Sequence, residues 1–136
     1  MGQKKVILDA NVYISALGYE GNEREVLRRC ITKEFLLYLS EDIFKEIERV
    51  LEYPKFNFTQ AQKDSLKLIL SEVGVLMSPT RKLHLLSDDP SDNKYLETAI
   101  ASGADFLITG DAHLLKIKKI GETKILRAAE FLKQLK

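Results

Sequence analysis

The chain has 136 residues, 45% hydrophobic and 30% charged, with a formal net charge of +1. That is enough for one soluble domain (1–136) with a real core. It excludes a global cationic field, so any nucleic-acid partner must be held by local patches. The single Cys30 excludes an internal disulfide, and no apolar run is long enough for a signal peptide or a membrane span, so a cytoplasmic protein is expected.

The chain opens on "KVILDA", a short β-branched run with the look of a strand buried on both faces. Helical patterns follow at 11–17 and 23–33, where Cys30 shares a face with Val26 and Leu27 and reads as inert packing. "FLLYLS" reads as a second strand. "EDIFKEIERVLE" is a helix with Ile43, Ile47, Val50 and Leu51 on one side, ended by Pro54. "QAQKDSLKLILSEVG" is another, with Leu66, Ile69, Leu70 and Val73 in register and Gly74 as its stop. "VLMS" is a third strand. A helix then runs to Gly103, followed by the strand "DFLIT", the short helix "DAHLLKI", the strand "TKILR" and the closing helix "AEFLKQL". Short apolar strands alternating with helices predict an α/β fold with a parallel sheet covered on both faces.

In such sheets ligands bind beyond the carboxyl ends of the strands, near the point where strand order reverses. Asp9 ends the first strand, Asp111 follows the fourth, and Asp92 opens the helix between them. A helical wheel puts Asp92 among Leu96, Ala99, Ile100 and Gly103, inside the apolar stripe. Three acids are thus expected on one rim. Helix capping competes with that reading. Asp89-Pro90 has the form of an N-cap and first helical residue, Asp92 that of a short-armed capping box, and Asp111 that of a cap on "AHLLKI". Capping is preferred for Asp89 and solvation for Asp88, while capping and a metal-ligand role weigh evenly for Asp92. Asp9 is harder to assign to capping, since an unpaired acid ending a buried strand is costly. On the helix at 41–52, Glu46 and Glu48 flank the apolar stripe on opposite sides, and periodicity does not choose between them.

Carboxylates with hardly any His or Cys favour a hard cation, Mg2+ or Mn2+, over Zn2+. His84 and His113 lack ligand spacing, and ordinary packing or surface roles are expected for both. Acid clusters holding Mg2+ typically act on phosphates.

Four stretches in order, "VILDANVYISAL", "IFKEIERVLEYPKF", "DDPSDNKYLETAIASGADFLITGDAHLL" and "TKILRAAEFL", resemble the PIN-domain family over nearly the whole chain. The resemblance is to a branch of small prokaryotic proteins assigned as toxin components of toxin–antitoxin systems, related to VapC-type toxins. It implies a three-layer α/β/α fold and a metal-dependent ribonuclease, with Mg2+ or Mn2+ held by the quartet Asp9, Glu46, Asp92 and Asp111. Glu46 is the helix acid that matches the family pattern. Asn11 and Thr109 match positions that support the first and last acids, with backbone capping an equally good reading of both. Glu97, common in this branch, is expected in a supporting or solvated place. RNA is the implied substrate, approached through Lys45, Arg49, Arg81 and Lys82. A cognate antitoxin and a homodimer are the implied protein partners. Two rivals are a catalytically silent PIN-fold module that binds RNA or protein, and a receiver-like signalling domain. The latter needs adjacent acids after the first strand, where "VILDAN" has one, and an acceptor Asp after a middle strand, where "VLMSP" has none.

Overall fold

The computed structural model describes residues 3–79 and 90–135. Asp88, Asp89, Arg81, Lys82 and His84 lie outside them. Strand β1 (Lys5–Leu8) leads into α1 (Ala10–Gly18) and α2 (Asn22–Ile31). Next come β2 (Leu36–Ser40), α3 (Glu41–Leu51), a 3-10 turn (Pro54–Phe56), α4 (Gln60–Val73) and β3 (Gly74–Met77). A second 3-10 turn (Pro90–Asp92) precedes α5 (Asn93–Ser102), β4 (Phe106–Ile108) and α6 (Ala112–Ile117). The order ends with β5 (Lys119–Ile120), β6 (Thr123–Leu126) and α7 (Ala128–Gln134).

The sheet order is β3-β2-β1-β4-β6-β5, parallel throughout except that β5 runs antiparallel to β6. The chain moves outward from β1 through β2 to β3, then returns to the other side of β1 with β4. The order therefore reverses between β1 and β4, and a crevice opens beyond their carboxyl ends. Val6, Ile7, Leu8, Leu107 and Ile108 are fully buried, which is why these segments read as continuous apolar runs. On the amino-terminal side of the sheet, Phe131 of α7 is wedged between Phe35 and Phe106, with ring centroids 5.1 and 5.0 Å away and edge-to-face geometry. Cys30 is buried beside Val26 and Leu27, and burial pushes its thiol up to about 12, a value at which it is inert. Among the described residues no helix is long and apolar enough to cross a membrane.

Three expectations change. The two-residue strand β5 does not show in the sequence; it pairs with β6 through a tight hairpin whose Gly121 takes φ +56°, too short for any alternation to register. Strand β3 lies at the sheet edge with Val75 and Leu76 exposed, so coverage of both faces does not extend to it among the described residues. Ile100 is 43% exposed, because the buried arc of α5 is turned toward Glu97 and Thr98, with Tyr95, Leu96, Ala99 and Ser102. Thr98 tolerates full burial by returning its hydroxyl to the Lys94 carbonyl (2.8 Å).

Gly74 does stop α4, as expected, but not in a left-handed turn; its φ of −75° and ψ of 139° are extended, and it is itself the first residue of β3. Helix passes into strand with no connecting residue, and the glycine is required by space. A Cβ there would stand 2.5 Å from the Leu70 carbonyl oxygen and 2.7 Å from Leu39 Cδ2. Gly74→Ala is expected to destabilise the fold by about 2 kcal/mol, the scale of overpacking a tight site. Urea unfolding should show a lower midpoint at unchanged slope; an unchanged midpoint would mean that α4 and β3 separate freely.

Candidate functional site

The crevice is built from the ends of β1 and β4 and the starts of α1, α5 and α6. Asp9 follows β1 and caps α1: its Oδ1 accepts the Asn11 N–H at 3.1 Å, and its Oδ2 accepts the Thr109 hydroxyl at 2.7 Å. The same Thr109 oxygen accepts the Asp111 N–H at 3.0 Å. A hydroxyl has one proton, so giving it to Asp9 leaves a lone pair turned to Asp111, and both acids are set by one side chain. Thr109 thus supports both acids, whereas Asn11 contributes its backbone N–H and leaves its side chain exposed.

Asp9 is 4% exposed. Burial raises its pKa above the ordinary carboxylate value of 3.8 and the Asp111 charge adds to this, against the lowering effect of bonds from Thr109, Asn11 and Tyr95. Tyr95 carries no functional signal in the sequence. Its hydroxyl accepts the Ala10 N–H (3.0 Å) and lies against the Asp9 carboxylate, and burial pushes its own pKa well up. A helix wheel places the ring, but nothing in the pattern gives the hydroxyl its destination.

Asp92 is 5% exposed and stands at the N-cap of α5, where its side chain makes no capping bond to that helix; the capping-box reading turns on Asp89, which lies outside the described residues. Asp111 caps α6, accepting the His113 N–H at 2.8 Å. One ligand atom each from Asp92, Asp111 and His113 fall within 4.8 Å of one another. Asp9 is not one of these three and is joined to Asp111 through Thr109. His113, for which an ordinary packing or surface role is expected, is exposed and is brought beside the acids by the start of α6. Its partner Asp92 is distant in sequence, so local spacing carries no signal of it.

Glu46 points toward α5. Its Oε1 is 2.6 Å from Lys94 Nζ and its Oε2 is 2.6 Å from an Arg49 guanidinium nitrogen; its charge contributes to the raised pKa of Tyr95. Lys94 also donates to the Ser91 carbonyl (2.6 Å). Glu48 points the other way, to Lys67 of α4 at 4.0 Å. Lys45 is paired with Glu41 (3.2 Å) on the exposed side of α3. Glu97 is buried, not solvated, and lines a cavity of about 170 Å3 with Ser40, Glu41, Asp42 and Met77. Two buried carboxylates, a third half-buried and an imidazole, meeting at a strand-order switch, fit a divalent cation: oxygen-rich, anionic and open on one side.

The family pattern described as PIN domain matches residues 5–113. No curated protein matches the chain in sequence. Among solved structures, the fold is similar to a chain in the crystal structure of VapBC2 from Rickettsia felis bound to a DNA fragment from their promoter. The TM-score is 0.61 at 16% identity, covering 89% of this chain and 96% of that one. The strand order, the acids at the β1/β4 switch and a pattern match running from β1 into α6 agree: the chain belongs to the PIN-domain family.

Proposed function

We propose that the protein is a divalent-metal-dependent ribonuclease, hydrolysing RNA phosphodiester bonds in the cytoplasm as the toxin of a toxin–antitoxin pair. The observation that carries the reading is the crowding of Asp92, Asp111 and His113 within 4.8 Å at the switch between β1 and β4, with buried Asp9 joined to Asp111 through Thr109. Family membership supports a nuclease, and the likeness to a VapBC2 chain supports an antitoxin partner; assembly as a homodimer is part of the same proposal.

Mg2+ or Mn2+ would be held by Asp92 and Asp111, backed by Asp9, with Glu46 at the margin. When bound, such an ion supplies charge neutralisation at the phosphoryl oxygens and an activated water. The chain's own residues do the rest. Thr109 fixes the carboxylate of Asp9 and the backbone of Asp111, so the acids are oriented before substrate arrives. Lys94 keeps a positive charge at the cleft edge, beside Glu46 and the Ser91 carbonyl, where a phosphodiester would enter. Arg49, Lys45, Arg81 and Lys82 would provide the wider basic approach, Arg49 and Lys45 after exchanging their present carboxylate partners for phosphate.

Cleavage of a mixed RNA pool in Mn2+ should be abolished by EDTA. Asp9→Asn and Asp111→Asn should each lose about a hundredfold or more while staying folded, and Glu48→Gln should keep activity. Undiminished cleavage in EDTA would sink the mechanism. RNA binding without cleavage by the wild type would assign the chain to the silent-module reading.

Stability gives an independent readout. Carboxylate oxygens of Asp92 and Asp111 within 4.8 Å repel by about 3 kcal/mol at an effective dielectric near 20, and water in an open cleft reduces that to about 1. Asn is a competent N-cap, so Asp111→Asn keeps the start of α6 and relieves the repulsion. In EDTA this variant should melt a few degrees above wild type. Mn2+ at a hundred times its Kd should stabilise wild type by about 2.7 kcal/mol, and the variant far less. A variant that melts lower in EDTA, with equal gain from Mn2+ in both proteins, would leave Asp111 a helix cap alone.

A further inference from the structure

His113 is the residue in the crevice that the carboxylate quartet does not include. It is the second residue of α6, and its backbone N–H closes the cap on Asp111 Oδ1 at 2.8 Å. That bond fixes where the side chain starts. The ring Nδ1 stands 3.6 Å from the same Oδ1, beyond hydrogen-bond reach. Among the described residues no hydrogen bond engages the imidazole, and the side chain is 51% exposed, so packing does not hold it either. A neutral ring therefore keeps a lone pair to offer. The ring nitrogen and the carboxylate oxygens of Asp92 and Asp111 are within 4.8 Å of one another. Ligands about 2.1 Å from a shared ion stand roughly 3–4 Å apart, so small side-chain rotations close the set.

We infer that His113 is a nitrogen ligand of the cation site and tilts its selectivity away from Mg2+, toward Mn2+ and more strongly toward Co2+ and Ni2+. The inference rests on the reading of the crevice as a divalent-cation site. Mg2+ prefers oxygen donors and gives up its waters reluctantly. Replacing one water by an imidazole therefore adds little to Mg2+ binding, and more for each ion along the first-row affinity order. Carboxylates alone supply charge to all of these ions. The imidazole is the donor that tells them apart.

The test uses the full chain with MnCl2, CoCl2 and MgCl2, read by titration calorimetry and by pulsed electron paramagnetic resonance of bound Mn2+. His113→Ala should weaken Mn2+ about tenfold and Co2+ further, and Mg2+ by less than about twofold, with its melting temperature in EDTA unchanged. The chain has two histidines. Nitrogen modulation of the Mn2+ spin echo should be present in wild type, retained in His84→Ala and lost in His113→Ala. Equal weakening of all three ions, or modulation that survives in His113→Ala, overturns the inference while leaving a carboxylate cation site intact. Mn2+ that fails to bind wild type, or that binds Asp111→Asn as tightly, overturns the cation site itself.

Discussion

The crevice depends on a single hydroxyl proton. Thr109 is buried at the end of β4, with its N–H bonded to the Leu126 carbonyl of β6. Its side chain gives its proton to Asp9 after β1 and takes the Asp111 N–H before α6. Three strands and two helix starts meet at one residue. Without that bond, the most buried acid of the cleft would lose a donor, and an unsatisfied buried acceptor costs about 1–3 kcal/mol, more when charged. Serine could supply the hydroxyl, but only a β-branched residue also fills the strand position, so one side chain serves both the sheet and the site.

Charge compensation is uneven across the cleft. Asp9 and Asp111 are held by N–H and O–H donors, which orient a carboxylate without cancelling its charge. Glu46, at the margin, is flanked by Lys94 and Arg49 at 2.6 Å each, so its negative charge is more than offset locally. The negative potential is therefore concentrated at the strand-order switch and damped toward α3. A cation arriving there would be drawn to the centre and not to Glu46.

Much of this was legible in the sequence. Asp9 and Asp111 could be placed because each follows an apolar run whose length ends at the sheet rim. Asp92 could be placed because helical phase turned it inward, although the same wheel misjudged Ile100 by taking the stripe as centred where it is not. Glu46 and Glu48 could not be separated by phase. What separates them is tertiary: α5 brings Lys94 to one side of α3 and α4 brings Lys67 to the other. Lys94 and Tyr95 carry no functional signal, because a pattern of polar and apolar positions does not say where the tip of a long amphipathic side chain ends. His113 is exposed, in keeping with a surface role; its approach to Asp92 has no local spacing in the chain, because it is set by the parallel pairing of β1 with β4.

That pairing also sets a time. Asp9 and Thr109 are 100 residues apart, and Val6 has no β4 partner until Phe106 exists. At about 5–20 residues per second of synthesis, roughly 5–20 seconds separate the making of the first acid from the making of the residue that orients it. Until then the strand destined for the middle of the sheet has a neighbour on one side only, and the acid that ends it faces solvent without its hydroxyl donor. The crevice cannot assemble on a nascent chain shorter than β4. Whatever chemistry it performs is withheld from the ribosome's half-made products by topology, with no inhibitor required.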